Sequence, residues 1–221
     1  MKRLMVALYL LIACQAIAKG QAISNQLTWQ NDIETRHKWF KSTIEEINNM
    51  GVEILKPKTF SDYVDGMFRF PENPVNVQDF YSYCLINKDS SIYIGFAVYS
   101  ATSKSIEKGN LEMKILRPDW VKYDADSTWI YHTRYSADKK CSPIDFYNTE
   151  IKSLSNSDDV AEYHRIENAS LLNRFYIYKT VTYHKINGGF ISVSYFNLEK
   201  ACIDKRLDKL IRKNRKIVRF K

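Results

Sequence analysis

The chain has 221 residues, with 33 Lys and Arg against 25 Asp and Glu and a formal net charge of +8. That length suits one domain of ordinary size. Hydrophobic residues make up 45%, with only 7 Gly and 5 Pro, which excludes disordered, collagenous and low-complexity classes, and four cysteines are too few for a disulfide-framework miniprotein.

Lys2 and Arg3 form a positive start, and Leu4 to Ala13 is an uncharged apolar run. The run is shorter than a bilayer-spanning helix. Ala16-Ile17-Ala18 is an A-x-A cleavage pattern, and Gly20-Gln21-Ala22 is a second, looser one. Together they predict a secretory signal over 1–22. The mature chain, 23–221, is then exported to a periplasmic or extracellular space. Leu11-Ile12-Ala13-Cys14 also resembles a bacterial lipobox, so lipid anchoring at Cys14 is the rival outcome. No second apolar run of spanning length occurs, and no transmembrane segment is expected in the mature chain.

Residues 28–50 read as an amphipathic helix. Trp29, Ile33, His37, Phe40, Ile44 and Ile47 recur at steps of three and four. His37 on that stripe is expected to be a core or boundary residue. Gly51 stands where a left-handed C-cap belongs. Val52 to Leu55 begins strand-like sequence.

Met67 to Phe70 is short and apolar, and Pro71 and Pro74 bound a loop. Gln78 to Asn87 and Ser91 to Tyr99 are two aromatic, β-branched runs around the turn Lys88-Asp89-Ser90, which predicts a hairpin. Ser103 to Asn110 is a polar loop. Leu111 to Leu116 suits a strand or a helical turn, and Ser127 to Tyr135 reads as a strand. Breakers scatter through 136–169, which reads as a loop-rich insertion with a short helix near Asp158 to Ile166.

Leu171 to Ile186 is a long strand, Asn187-Gly188-Gly189 a hairpin turn, and Phe190 to Phe196 an alternating strand. Asn197 can cap a following helix. Ala201, Ile203, Leu207, Leu210, Ile211 and Asn214 trace that helix, and Ile217 to Phe220 ends the chain as a short strand or packed tail. The order predicts a single α+β domain: an antiparallel sheet with the N-terminal helix and a basic C-terminal helix packed on one side of it.

Residues 200–221 hold ten Lys and Arg against Asp204 and Asp208. The basic charge is therefore concentrated in the last element, and 23–199 is mildly acidic. Lys205, Arg206, Lys209, Arg212, Lys213, Arg215 and Lys216 form a candidate contact for an anionic surface. A solvated helix face is the plainer account of the same residues. In an exported protein the partner is an envelope protein, a glycan or anionic lipid rather than nucleic acid.

The chemistry-bearing residues are scattered. No H-E-x-x-H or C-x-x-C occurs, no G-x-S-x-G frames a serine, and Gly188-Gly189 opens no helix, so no zinc, nucleophile-elbow or phosphate-loop motif is present. No cofactor, metal site or catalytic residue is predicted. Carboxylates come in pairs (Asp62 and Asp65, Asp124 and Asp126, Asp158 and Asp159), which sequence adjacency does not place across a cleft. Cys84 suits a small core residue. Cys141 and Cys202 are the expected disulfide pair. Trp120 and Trp129 are candidate ligand-facing rings, with core packing as their alternative.

Tyr123 to Tyr131, and the hairpin and helix from Tyr176 through Asn187-Gly188-Gly189 to Phe220, resemble small secreted Bacteroidetes proteins of uncharacterised function. The hairpin-then-helix ending is also similar to the PsbP and Mog1 type of domain. The resemblance implies an accessory or binding domain with an antiparallel sheet, and it carries over no catalytic residues. The expected function is a non-catalytic accessory or binding protein of a bacterial envelope, with a glycan-binding or glycan-cleaving secreted protein as the alternative.

Overall fold

The structure, a computed structural model, describes residues 33–64, 81–101, 107, 111, 114–115, 124–137, 141, 143–146, 149–164, 170–171, 175–198 and 203–221. Helix α1 (Ile33–Asn49) ends where expected, and Gly51 takes the left-handed conformation at φ +67°. Phe40, Ile44 and Ile47 face the core, while His37 is exposed rather than on the buried stripe. Strand β1 (Val52–Ile54) leaves the helix, and β2 (Phe60–Asp62) follows.

β3 (Tyr81–Asn87) and β4 (Ile92–Ser100) form the expected hairpin. Its turn is held by Asn87, whose Oδ1 accepts from the backbone N–H groups of Ser91 and Ile92 at 3.0 and 2.9 Å.

The segment expected as a strand over Ser127–Tyr135 is instead α2 (Ala125–Ser136). Asp124 decides this locally. Its carboxylate accepts from the N–H groups of Asp126 and Ser127, capping the first turn. The aromatic and β-branched content suggested a strand, but the buried positions Trp129, His132 and Thr133 follow helical spacing.

The region expected as an irregular insertion is ordered along much of its described length. It contains β5 (Asp145–Phe146), α3 (Thr149–Ser155) and β6 (Asp159–His164). The short helix expected over Asp158–Ile166 is thus the strand β6. Six consecutive residues of β6 pair with His184 back to Lys179, and that long-range pairing overrides a local sequence with no clean alternation. After β7 (Ser170–Leu171) come β8 (Phe175–Lys185) and β9 (Gly189–Asn197), joined by the expected turn. Asn197 remains in the strand. The cap of α4 (Lys205–Lys213) is Asp204, and β10 (Val218–Phe220) closes the chain.

The described strands form two sheets, antiparallel in every pairing. The large one runs β2-β3-β4-β9-β8-β6-β5, with β7 paired to β8, and the small one pairs β1 with β10. The architecture is α+β.

Alternate residues of the large sheet serve opposite faces. One face carries Leu85, Ile94, Phe96, Val160, Val181, Ile191, Val193 and Tyr195, and it is covered by Ile47 of α1, Ile151 of α3, Leu207 and Ile211 of α4, and the β1–β10 pair. The other face packs Ala161 and Phe190 against Trp129 of α2. Helices therefore lie on both faces, not on one as expected. The cause is that α2 replaces a predicted strand.

The centre of that second face is unusual. Gly95, Ser194, Thr180 and Tyr163 stand in one row across four strands, and Ala97, Ser192, Thr182 and Ala161 in the next. The four Ser and Thr residues are fully buried. Thr180 and Ser194 hydroxyls lie 2.7 Å apart, Thr182 and Ser192 3.1 Å apart, and the Tyr81 hydroxyl reaches Ser194 at 2.9 Å. Each hydroxyl thus has a partner on the neighbouring strand, which makes their burial tolerable and fixes the register of β8 on β9.

Candidate anionic-surface site

Helix α4 is set by polar groups at its start and by apolar side chains along its inner face. Asp204 Oδ1 accepts from Arg206 and Leu207 N–H groups at 2.9 and 3.0 Å, while the Asp204 N–H donates to the Tyr178 hydroxyl at 2.9 Å. Strand β8 supplies the second anchor. Its register shifts between Ile177 and Lys179, and this irregularity brings both Tyr178 and Lys179 to the α4 side.

Lys179 then donates to Asp208 Oδ1 at 2.8 Å and lies 3.1 Å from Glu162 Oε1, and the Tyr178 hydroxyl donates to the same Asp208 oxygen at 3.0 Å. Burial alone would raise the Asp208 carboxyl. The Lys179 ammonium and the Tyr178 hydroxyl outweigh it and hold the group below the usual carboxylate range. For Lys179, burial disfavours the charge, but Asp208 and Glu162 outweigh it and raise its pKa.

Both acids of this segment are therefore turned inward, Asp204 onto the helix start and Asp208 onto Lys179. Leu207 and Ile211 are fully buried. What remains outside is basic. At 3.6 residues per turn, Arg212, Lys205, Lys209, Lys213 and Arg206 fall in sequence around an arc of about 120°.

Of the seven residues expected here, Lys205, Lys209, Arg212, Lys213 and Lys216 are exposed and make no salt bridge among the described residues. Arg206 is exposed but donates to Ser91 Oγ at 3.2 Å. Arg215 is half-buried, and its carbonyl accepts from the Tyr183 hydroxyl at 2.9 Å. The structure thus brings four of the seven, Lys205, Lys209, Arg212 and Lys213, onto one open face of α4, while Lys216 lies exposed in the turn that follows the helix. Arg212 and Lys213 also occupy the last turn, where positive charge complements the helix dipole.

Sequence reasoning missed a second constellation. Residues from two carboxylate pairs meet His184 at the β8–β9 turn. His184 Nε2 lies 2.9 Å from Asp126 Oδ1, and its Nδ1 lies 3.4 Å from Asp159 Oδ2. The ring is 3% exposed and stacks on Trp129, with centroids 4.9 Å apart and planes 13° apart. Asp126 Oδ2 accepts from the Asn187 N–H at 2.9 Å, and Asp158 Oδ2 from the Ile186 N–H at 2.8 Å.

The histidine stands between the carboxylates, so their oxygens point at its ring and not at a shared empty point. Among the described residues no group of three or more His, Cys, Asp or Glu is placed to hold a metal ion. The cluster clamps α2 to the hairpin. Only the turn chemistry of Asn187 at φ 61° was visible in sequence; the meeting of Asp126, Asp159 and His184 required the topology.

Trp129 is 7% exposed and packed against His184 and Phe146. It does not face solvent, because α2 turns it inward. Trp120, Cys14, Cys202 and the segment 1–22 lie outside the described residues. Cys141 is disulfide-bonded. Cys84 is a free, buried thiol, as expected.

A cavity of about 200 Å³ opens between α1 and β1, walled by Ile44, Ile47, Val52, Ile54 and Tyr83. Asn48, Glu53 and Lys221 also line it; Glu53 pairs with Arg219 at 2.8 Å, and the Tyr83 hydroxyl donates to Asp62 at 3.1 Å. No described helix is long and apolar enough to cross a membrane. Set against family models, curated proteins and solved structures, the chain matches none.

Proposed function

We propose that this is an exported, non-catalytic accessory protein of a bacterial envelope, which attaches to an anionic surface through the outer face of α4. The observation that carries this reading is the division of charge on one helix. Its two acids are used inside the fold, and its outer arc is Lys and Arg throughout. A solvated helix has no need to segregate its charges so completely, since mixed signs serve solubility better. The start of the chain, with Lys2, Arg3 and the A-x-A pattern, supports export. We also place the fold with the PsbP and Mog1 type, on the strength of the β8–β9 hairpin followed by α4.

The glycan alternative calls for exposed rings beside two carboxylates facing each other across a groove. Trp39, Tyr131 and Phe146 are exposed, but Trp129 is packed, and Asp126 and Asp159 are held on His184.

The test is association with envelopes isolated from the native host. The chain should sediment with them at low salt and be released between roughly 0.05 and 0.5 M salt, as screening shortens the reach of exposed charges. The variant Lys205→Glu/Lys209→Glu/Arg212→Glu/Lys213→Glu should stay in solution with an unchanged circular-dichroism spectrum. Equal sedimentation of variant and parent would refute the assignment.

A further inference from the structure

We propose that the anionic surface is a lipid bilayer, and that Ile203 enters its interfacial layer while the α4 ridge lies on the headgroups. This rests on the α4 reading above and adds the partner's chemistry. The added observation is apolar. Ile203 is 78% exposed, more than any other large hydrophobic residue of the described chain, and Leu198 is 37% exposed. Ile203 immediately precedes the Asp204 cap, and Leu198 immediately follows β9. Both flank the connection that leads into the basic helix.

A polyanionic chain, whether glycan or nucleic acid, reads charge and leaves Ile203 in water. A bilayer with anionic headgroups uses both features, because cations meet phosphates while an aliphatic side chain reaches the acyl boundary. The helix cannot roll over to insert its own apolar face, because Leu207 and Ile211 are fully buried in the protein core. It therefore lies with its basic arc downward. The ridge from Lys205 to Arg212 extends about 10 Å, with Ile203 as an aliphatic toe at its N-terminal end. The long methylene stems of Lys209, Arg212 and Lys213 suit this geometry, since they lie along the interface while their charged ends reach phosphate.

Co-sedimentation with vesicles of phosphatidylcholine and phosphatidylglycerol at roughly three to one, and with vesicles of phosphatidylcholine alone, tests this. The full chain and its variants are compared in the same background, with dextran sulfate as a soluble polyanion. The parent should bind the anionic vesicles in a salt-dependent manner. Ile203→Ser should weaken that binding about tenfold, leave its salt slope unchanged, and leave dextran sulfate binding as it was.

Lys209→Glu/Arg212→Glu should weaken both kinds of binding by at least about fivefold per residue and flatten the salt slope. Because Ile203 is exposed, its replacement leaves the fold intact, which thermal unfolding verifies. If Ile203→Ser binds vesicles as the parent does, or if the parent binds dextran sulfate and not anionic vesicles, the bilayer assignment falls and the α4 reading stands. If the parent binds neither, both fall.

Discussion

Replacing Lys179 by Met tests whether α4 is seated by charge. The Lys179 ammonium lies between Glu162 and Asp208, at 3.1 and 2.8 Å, and the three side chains are 16%, 13% and 30% exposed. Methionine keeps most of the stem volume and removes the cation. Two carboxylates then remain near each other without the cation, with the Tyr178 hydroxyl still donating to Asp208. Removing one member of a buried pair costs about 3–5 kcal/mol, and the exposure of Asp208 places this case at the lower end, about 3 kcal/mol. Asp208→Asn is milder, because the amide oxygen still accepts and Lys179 keeps Glu162. Its loss is about 1 kcal/mol, the difference between a charge-assisted and a neutral hydrogen bond.

Urea unfolding followed by circular dichroism reads both. At a slope of about 2 kcal/mol/M the Lys179→Met midpoint falls by about 1.5 M. The pH dependence adds a second check. Asp208 has a folded pKa below its ordinary value: burial raises it, but Lys179 and Tyr178 outweigh that. A carboxylate of this kind stabilises the fold above about pH 4 and loses that contribution as pH falls through its folded pKa. The parent therefore weakens in acid through this site. The variant has no such contribution to lose, and its crowded carboxylates are relieved by protonation. The gap between the two should narrow from pH 7 to pH 3. A Lys179→Met loss no larger than that of Asp208→Asn, or a gap that widens in acid, would refute the reasoning.

Three other outcomes are expected. Burial pushes the Cys84 thiol up to about 12, so iodoacetamide at pH 8 should leave it unmodified in the native chain and alkylate it once urea unfolds the protein; alkylation at the rate of a free thiol would contradict this. Gly189 has φ +99°, and an added Cβ would stand 2.1 Å from the Tyr99 carbonyl oxygen, whereas Gly51 at φ +67° has nothing within 4 Å. Gly189→Ala should therefore cost more than about 3 kcal/mol and Gly51→Ala about 1 kcal/mol in urea unfolding, and comparable losses would undermine the account. Ser194→Ala removes a partner from both Tyr81 and Thr180 and should cost about 1–3 kcal/mol. Thr180→Val should then cost less in that background than in the parent, and strict additivity in the double-mutant cycle would show that the buried hydroxyls act separately.

The elements legible in the sequence were those whose local signals agree with their tertiary surroundings. The β3–β4 and β8–β9 hairpins carry recognisable turn residues, Lys88-Asp89-Ser90 in the first and Asn187, at φ 61°, with Gly188 and Gly189 in the second, between runs rich in aromatic and β-branched residues. Helix α1 and the closing β10 were legible for the same reason. The α2 segment was misread because Trp, Ile, Tyr and Thr favour strands on average, while one cap from Asp124 and an inward Trp129 outweighed that preference. Strand β6 was misread because both of its faces are covered, so Val160, Ala161, Tyr163 and His164 are all buried and no alternation survives. At the candidate site, the row of basic residues was visible at once. The inward commitment of Asp204 and Asp208 was not, because it depends on the irregularity at Ile177–Lys179 in a strand distant in sequence.

That irregularity links the fold to the proposed contact. An ordinary alternation would send Tyr178 and Lys179 to opposite faces of β8. The shift brings both to α4, where one hydroxyl and one ammonium meet the same oxygen of Asp208. The acid that would otherwise sit among Lys205, Lys209 and Arg212 is paired inside, and the outer arc loses the acid that lies within α4 itself. The same arrangement holds α4 rigidly by Leu207 and Ile211, so its cations are presented on a fixed helix and not on a mobile tail. A charged ridge on a rigid element surrenders little backbone entropy when it meets a flat surface, in contrast to a disordered basic segment that must order as it binds. The buried polar network on β8 and the exposed basic ridge are in this sense two sides of one arrangement, and Lys179→Met should also weaken the proposed binding to anionic vesicles in co-sedimentation at matched salt; binding equal to that of the parent would separate the two.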